Sequence, residues 1–115
     1  MHLIQKSFKF SAAHCLPSLG DKNKCYNVHG HNYVVTVGVE GNELDQHGMV
    51  IDCAKITKAV KPIIEKLDHT NLNDHFYFKT TSENLSKWFY HQLSDIRPSW
   101  VEVAETDSIK ARYWE

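Results

Sequence analysis

Two stretches in the first third of the chain alternate apolar and polar residues, and this period constrains the fold more than any other feature of the sequence. Phe8 to His14 alternates, and from His29 to Glu40 the apolar residues at odd positions share one face. Successive side chains of a strand point to opposite faces of a sheet. The pattern therefore predicts one strand that ends near His14 and a second, long strand over His29 to Glu40, separated by a turn-rich loop over residues 15–28.

Two helices are predicted in the middle of the chain. Asp52 can cap the first, whose apolar residues recur at helical spacing. Pro62 lies inside this helix and predicts a bend or an early break, because proline lacks a backbone donor. Thr80 and Glu83 have the spacing of a capping box before a second helix, which Pro98 ends.

Two further strands are predicted over residues 100–106 and 109–114. The order ββααββ favours an α+β fold, with a four-stranded antiparallel sheet and both helices on one face. A chain of 115 residues suits one hydrophobic core, so we expect a single domain over residues 1–115. Such a sheet leaves two open edges and one uncovered face. We therefore expect an obligate oligomer in which sheets close into a barrel.

Composition excludes several classes of function. The formal net charge is −1 and no run of Lys and Arg occurs, so we expect no nucleic-acid partner. No apolar stretch approaches the roughly 20 residues that span a bilayer, and the N-terminus lacks a secretory pattern, so we expect a cytoplasmic protein without membrane contact. The three cysteines are odd in number and form no C-x-x-C pair, which argues against a disulfide framework.

Histidine is abundant, with eight residues, and three of them suggest a metal site. His29 and His31 are two residues apart on a predicted strand, so both imidazoles point to one side, and Gly30 between them would allow close backbone approach. His14 ends the neighbouring strand and can supply a third ligand. Three histidines without a fourth protein ligand are typical of catalytic zinc, which keeps one position open. The alternative is an ordinary pair of surface histidines.

Cys25 lies four residues before His29 and has two possible roles. It can be the fourth ligand of a closed, structural zinc site in a module without catalysis. It can also stand beside the metal as a thiolate that acts as a base or nucleophile. Cys15 and Cys53 have no such neighbourhood and are expected to pack.

Three acidic or basic side chains further along the chain are candidates for chemistry. Asp68 and His69 are adjacent in the loop after the first helix, where a carboxylate and an imidazole can transfer protons, although a polar loop explains them too. Glu105 follows Val101 and Val103 on one face of a strand. Its carboxylate is either a strand-end surface group or an acceptor for the N–H donors of a ligand.

Taken in order, these segments resemble the family of 6-pyruvoyl-tetrahydropterin synthases and 6-carboxytetrahydropterin synthases over essentially the whole chain. The resemblance is carried by Phe10-Ser11-Ala12-Ala13-His14, Cys25-x-x-x-His29-Gly30-His31-Asn32, Leu67-Asp68-His69-x-x-Leu72-Asn73, Thr81-Ser82-Glu83-Asn84 and Glu105-Thr106. It implies the tunnelling fold (T-fold), in which protomers form a trimeric barrel and two trimers stack as a homohexamer. It also implies active sites between subunits.

The resemblance further implies a role for each candidate residue. The zinc ligands would be His14, His29 and His31. Cys25 would be the catalytic base, with Asp68 and His69 as its proton-relay partners. Glu105 would be the pterin anchor. The family's substrate is 7,8-dihydroneopterin triphosphate. The compact length is similar to the carboxytetrahydropterin branch, which forms 6-carboxytetrahydropterin, acetaldehyde and triphosphate on the route to queuosine, and the pyruvoyl branch is the alternative.

Two positions depart from the family pattern. Thr80 stands where the family often has proline, and Cys53 where it often has an aromatic residue. We expect that neither touches a proposed chemical group and that both affect local packing alone. Lys22 and Lys24 flank Cys25 and are the candidates for contact with the triphosphate.

Overall fold

Two long antiparallel strands form the frame of the computed structural model, which describes all of residues 1–115. Strand β1 spans His2–His14 and strand β2 spans His29–Gly41, with His14 opposite His29 in the register. Both predicted strands are confirmed, and β1 begins six residues before the start of the alternating stretch. The connecting loop contains two short 3-10 turns, Pro17–Leu19 and Lys24–Tyr26.

Helix α1 spans Cys53–Leu67 and begins, as predicted, at Asp52, whose side chain accepts a hydrogen bond from the Ala54 N–H at 2.9 Å. The predicted early break at Pro62 is wrong, because the helix continues for five more residues. Pro62 is exposed, as is Lys58, whose carbonyl loses its helical partner, so solvent can satisfy that group. Packing of the apolar face holds the helix together through residues Ile56, Val60, Ile64 and Leu67.

Helix α2 spans Ser82–Gln92 and begins one residue later than predicted. Its N-cap is Thr81, whose hydroxyl accepts a hydrogen bond from the Asn84 N–H at 3.2 Å, so the predicted capping box of Thr80 and Glu83 is wrong. Thr80 is instead fully buried beneath the helix terminus. A 3-10 turn over Ser94–Ile96 follows before Pro98.

The sheet has five strands in the order β3-β1-β2-β4-β5, not four. Strands β4 (Trp100–Ala104) and β5 (Lys110–Tyr113) form the predicted hairpin, antiparallel to each other. The addition is β3 (Thr70–Asn71), which pairs parallel to β1 and makes the sheet mixed. Two residues in a polar loop carry no periodic signal, so this strand could not be predicted from alternation.

The two faces of the sheet differ in character. One face packs against both helices in a core that includes Phe10, Tyr33, Val35, Val101, Val103, Leu85 and Phe89. The opposite face, called here the uncovered face, carries polar cross-strand pairs such as Ser7 with Thr36 at 2.7 Å and Ser11 with Asn32 at 2.8 Å. No helix of the structure combines the length and the apolar character that crossing a bilayer requires.

Candidate metal centre and active site

Three imidazoles meet at the end of the β1–β2 pair, on the face that the helices cover. His14 lies opposite His29, and His31 is two residues further along β2. Ring centroids are 4.5 Å apart for His14 and His29, 5.1 Å for His14 and His31, and 4.9 Å for His29 and His31. One nitrogen from each ring lies within 4.8 Å of the other two. The predicted proximity of the three histidines is confirmed, and we call this group the histidine cluster.

The hydrogen bonds of the cluster leave nitrogen lone pairs free to bind a cation. The Nδ1 atom of His14 lies 2.8 Å from the Thr80 carbonyl oxygen, and the Nδ1 atom of His29 lies 2.8 Å from the Asn27 carbonyl oxygen. A carbonyl only accepts, so both Nδ1 atoms carry the proton and both Nε2 atoms present a lone pair. The Nε2 atoms of His14 and His31 are buried without a hydrogen-bond partner. Since a buried unpaired nitrogen is costly, these residues fit a metal ion.

Burial favours the neutral form of two imidazoles of the cluster, His14 and His31. Burial lowers the pKa of His14, against the opposing effects of the Thr80 carbonyl and the Glu105 charge. Burial also lowers the pKa of His31, again opposed by Glu105. Since a metal binds the neutral ring, a lowered pKa favours coordination at neutral pH.

Glu105 lies beside the cluster, immediately after β4. Its carboxylate oxygens are 4.0 Å from His14 Nε2 and 3.8 Å from His31 Nε2, too long for hydrogen bonds. Its side chain is only 16% exposed, so the strand-end surface alternative does not hold. The carboxylate therefore faces the space next to the candidate metal position and can accept hydrogen bonds from a ligand there.

Tyr33 forms a wall of this space, although the sequence alone predicts no role for it in the site. Its ring packs edge-on against His14 and His31, with centroid distances of 5.9 and 5.4 Å. Its hydroxyl is buried without a partner, and burial, followed by the nearby Glu105 charge, raises its pKa. The only available signal was a tyrosine two residues after His31 on the same strand face.

Asp68 and His69 form a contact with each other but not with the cluster. An Asp68 oxygen lies 3.0 Å from His69 Nδ1, and the other accepts the Ser11 N–H at 2.9 Å. The His69 N–H donates to the Ser11 carbonyl at 2.6 Å, which fastens the pair to the outer edge of β1. The Ser11 N–H, and then His69, lowers the pKa of the Asp68 carboxyl.

The imidazole of His69 is 82% exposed and borders a cavity of about 480 Å³. Ser11, Ala13, Asn32 and His31 are among the residues that line this cavity, and strand alternation places the side chains of the first three on the uncovered face. The histidine cluster projects to the other face. Within one chain, therefore, the Asp68–His69 pair and the histidine cluster do not converge on one point.

Cys25 lies in the loop beside the cluster and is not a member of it. Its thiol is free and half-buried, and the group of side chains close enough to share a cation contains the three histidines without Cys25. Its N–H donates to Asn23 at 2.9 Å, and its carbonyl accepts the Leu16 N–H at 2.8 Å, which ties the turn to the end of β1. This arrangement gives no support to a closed site with a sulfur ligand.

The sequence model of one protein family, described as 6-pyruvoyl tetrahydropterin synthase, matches residues 3–115. The chain belongs to this family. The chain is 34% identical to the 6-carboxy-5,6,7,8-tetrahydropterin synthase of Synechocystis sp. over 99% of this chain and 94% of that one. It is 35% identical to the enzyme of the same name from Bacillus subtilis, over 87% of this chain and 75% of that one.

A solved member of the family has the same fold. The structure of the Caenorhabditis elegans 6-pyruvoyl tetrahydropterin synthase superposes with a TM-score of 0.87 at 30% identity, over 99% of this chain and 95% of that one. The predicted family and its two-helix α+β protomer are thus confirmed, with the fifth strand as the correction to the sheet.

The structure corrects two interpretations of small details in this family member. A Cβ atom on Gly30 would meet only the Ala12 carbonyl oxygen at 3.6 Å, an ordinary contact, so the single chain does not require glycine between the two histidines. Thr80, expected to affect only packing, contacts the His14 imidazole directly. A backbone carbonyl that accepts a ring proton has no sequence signature, so this contact could not be predicted.

Proposed function

We propose that this chain is a zinc-dependent 6-carboxytetrahydropterin synthase. Its family membership makes it an enzyme of the pterin synthase type, and relatives at 34% and 35% identity carry the name of this lyase. The substrate would be 7,8-dihydroneopterin triphosphate, and the products 6-carboxy-5,6,7,8-tetrahydropterin, acetaldehyde and triphosphate. The enzyme would act in the cytoplasm on the route to queuosine. The observation that carries the proposal is the cluster of three histidines, in which the Nε2 atoms of His14 and His31 are buried without a hydrogen-bond partner.

The proposed zinc ligands are His14, His29 and His31. Three imidazole ligands suit zinc, and a tetrahedral ion with three protein ligands keeps one position for substrate. When bound, zinc would act as a Lewis acid that stabilises negative charge on the substrate's side-chain oxygens. His14 and His29 are held by carbonyl acceptors, which orient their rings before any ligand arrives.

Cys25 is the proposed base that removes a carbon-bound proton from the substrate. The thiol is free, and its turn is tied by the Leu16 N–H to the segment that follows His14. A thiol gains acidity next to a positive charge, so a cation on the histidine cluster would favour the thiolate. Its absence from the cluster supports a role as base over a role as ligand.

Asp68 and His69 are the proposed proton relay. The Asp68 carboxylate holds His69 Nδ1 at 3.0 Å, which orients the ring and favours a proton on that nitrogen. His69 Nε2 then exchanges a proton with substrate or solvent, and its high exposure leaves that atom accessible.

Glu105 is the proposed anchor of the pterin ring. Its two oxygens can accept parallel hydrogen bonds from a ring N–H and the adjacent amino group, as a carboxylate does with other planar donors. Its position beside His14 and His31 would hold the ring with its side chain directed at the metal. Such positioning accounts for a large part of catalytic rate enhancement.

The relay lies at the outer edge of β1 with His69 82% exposed, whereas the cluster projects to the face that the helices cover, and this separation supports a site completed by a second chain. The open edge of β5, and that of β1 outside its two-residue pairing with β3, support closure of several sheets into a barrel. We propose a homohexamer of two stacked trimers, with Cys25 and the histidine cluster from one chain and Asp68 and His69 from a neighbour.

Product analysis tests the proposal. Incubation with 7,8-dihydroneopterin triphosphate and mass spectrometry of the products should detect acetaldehyde and 6-carboxytetrahydropterin. A product that keeps the three-carbon side chain would favour the second candidate, a 6-pyruvoyl-tetrahydropterin synthase, which the likeness to the Caenorhabditis elegans structure supports. No turnover with zinc bound would favour a non-enzymatic zinc module.

A further inference from the structure

The side-chain amide of Asn73 binds the backbone of the residue that follows His14. Asn73 Nδ2 donates to the Cys15 carbonyl at 3.1 Å, and Asn73 Oδ1 accepts the Cys15 N–H at 3.0 Å. Strand β1 ends at His14, so these two bonds continue the hydrogen-bond ladder through a side chain at the point where it would otherwise stop. The backbone on the C-terminal side of His14 is thereby fixed.

The same amide also holds the residue that receives the ring proton of His14. The Thr80 hydroxyl donates to Asn73 Oδ1 at 3.2 Å, and the Thr80 carbonyl accepts the His14 Nδ1 proton at 2.8 Å. Thr80 is fully buried, as is His14 at 1% exposure. The Asn73 amide therefore contacts the backbone next to His14 and also the residue, Thr80, whose carbonyl orients the His14 ring.

Asn73 is itself rigidly placed. It lies in the 3-10 turn Leu72–Asp74, and its N–H donates to Asn71 Oδ1 at 3.0 Å. Leu72 anchors this turn in the core with no exposed surface. A side chain held in this way loses little further freedom when it makes its own hydrogen bonds.

We propose that Asn73 is a positioning residue that, through Cys15 and Thr80, holds His14 in the tautomer and orientation that direct its Nε2 lone pair at the metal. The inference extends the proposed function, since it rests on the histidine cluster as the metal site. A neutral imidazole with its proton on Nδ1 can coordinate only through Nε2, and a fixed acceptor on the Nδ1 side selects that tautomer. Loss of the amide would free the ring and weaken metal binding without removing any ligand.

The test compares metal affinity of the full-length chain across variants, by competition of zinc with a chelator. Asn73→Ala should weaken the affinity by about 10-fold to 100-fold, the usual effect of removing an outer partner of a metal-binding histidine. Asp45→Ala is the matched control, because Asp45 also accepts two backbone N–H bonds, from His47 and Met49, in a loop apart from the cluster. Its affinity should equal that of the wild type.

A second readout does not depend on metal. Nitrogen NMR of the metal-free chain should show His14 with its proton on Nδ1 in the wild type and a mixture of tautomers in Asn73→Ala. Wild-type affinity and an unchanged tautomer in folded Asn73→Ala would overturn the proposal. If that variant does not fold, Asn73→Gln decides, since it moves the amide away from the Cys15 backbone and changes neither Thr80 nor His14: weaker binding supports the proposal and wild-type binding contradicts it. A wild-type chain that binds no zinc would refute the zinc proposal, and the tautomer would still test this one.

Discussion

His14 and Thr80 lie 66 positions apart in the chain, yet the His14 Nδ1 atom donates to the Thr80 carbonyl at 2.8 Å. The bond joins the end of β1 to the segment that leads into α2. Both residues are buried, so the orientation of one proposed metal ligand depends on how the helix docks on the sheet. Disturbing the start of α2 should therefore affect the site as well as the fold.

Replacing Cys25 by Ala should leave zinc content and fold intact and abolish turnover, because the thiolate is proposed as the base and not as a ligand. Cys53→Ala is the control, since Cys53 is also a free, half-buried thiol but lies at the start of α1. Metal analysis and product assays of both variants give the answer. A metal-free Cys25→Ala protein would show instead that the sulfur completes a structural site.

Replacing Glu105 by Gln should raise the Michaelis constant much more than it lowers stability. The carboxylate is an acceptor only, whereas an amide directs a donor at the ligand's own donors, and a lost charge-assisted bond is worth about 1.5–3 kcal/mol. Glu83→Gln, a change of the same chemistry at an exposed site, should have no effect. Steady-state kinetics that match the wild type in Glu105→Gln would exclude Glu105 as the pterin anchor.

Acidification should destabilise the metal-free chain partly through His14. Its pKa is lowered from 6.5 in the folded chain, mainly by burial, so the unfolded chain binds the proton more readily. The stability that the neutral His14 ring contributes is fully present above pH 6.5, the pKa of the unfolded chain, and it is lost as the pH falls below that value. Urea unfolding at about pH 7.5 and about pH 5.5 should show a larger loss for the wild type than for His14→Gln, which cannot titrate. Equal losses would contradict the assigned environment of His14.

Mixing two inactive chains should restore activity if the site is shared between subunits. After co-refolding of equal amounts of Cys25→Ala and His69→Ala, random assembly gives about one quarter of the sites an intact Cys25 and an intact His69 from its neighbour. Turnover should recover to about that fraction of wild type. The mass from light scattering is measured on the same sample, and a monomer near 13.3 kDa, or hexamers without regained activity, would argue against a shared site.

Local periodicity was sufficient to predict the two long strands, both helices and the grouping of the three histidines. Residues two apart on a strand share a face, so the partnership of His29 with His31 follows from spacing, and antiparallel pairing brings His14 to them. The contacts of Thr80, Asn73 and Tyr33 were not predictable in the same way. They depend on backbone carbonyls and on packing between segments far apart in sequence, neither of which leaves a pattern in the residues.

The shift of the helix α2 cap by one residue has a similar origin. Thr80 and Thr81 are equally suitable caps by residue type, and Thr80 with Glu83 has the better local pattern. Burial of Thr80 against His14 leaves Thr81 as the cap. Tertiary contacts thus decide between two local choices of nearly equal energy.

The most direct measurement follows turnover of 7,8-dihydroneopterin triphosphate while zinc is added back to the metal-stripped chain. The rate of 6-carboxytetrahydropterin formation should rise in proportion to zinc and stop at one ion per chain, since the histidine cluster is the proposed zinc site. His14→Ala, His29→Ala and His31→Ala should each lose most of the zinc and the activity, while the exposed His47→Ala behaves as wild type. Activity that is independent of zinc, or full zinc occupancy in all three cluster variants, would contradict this account.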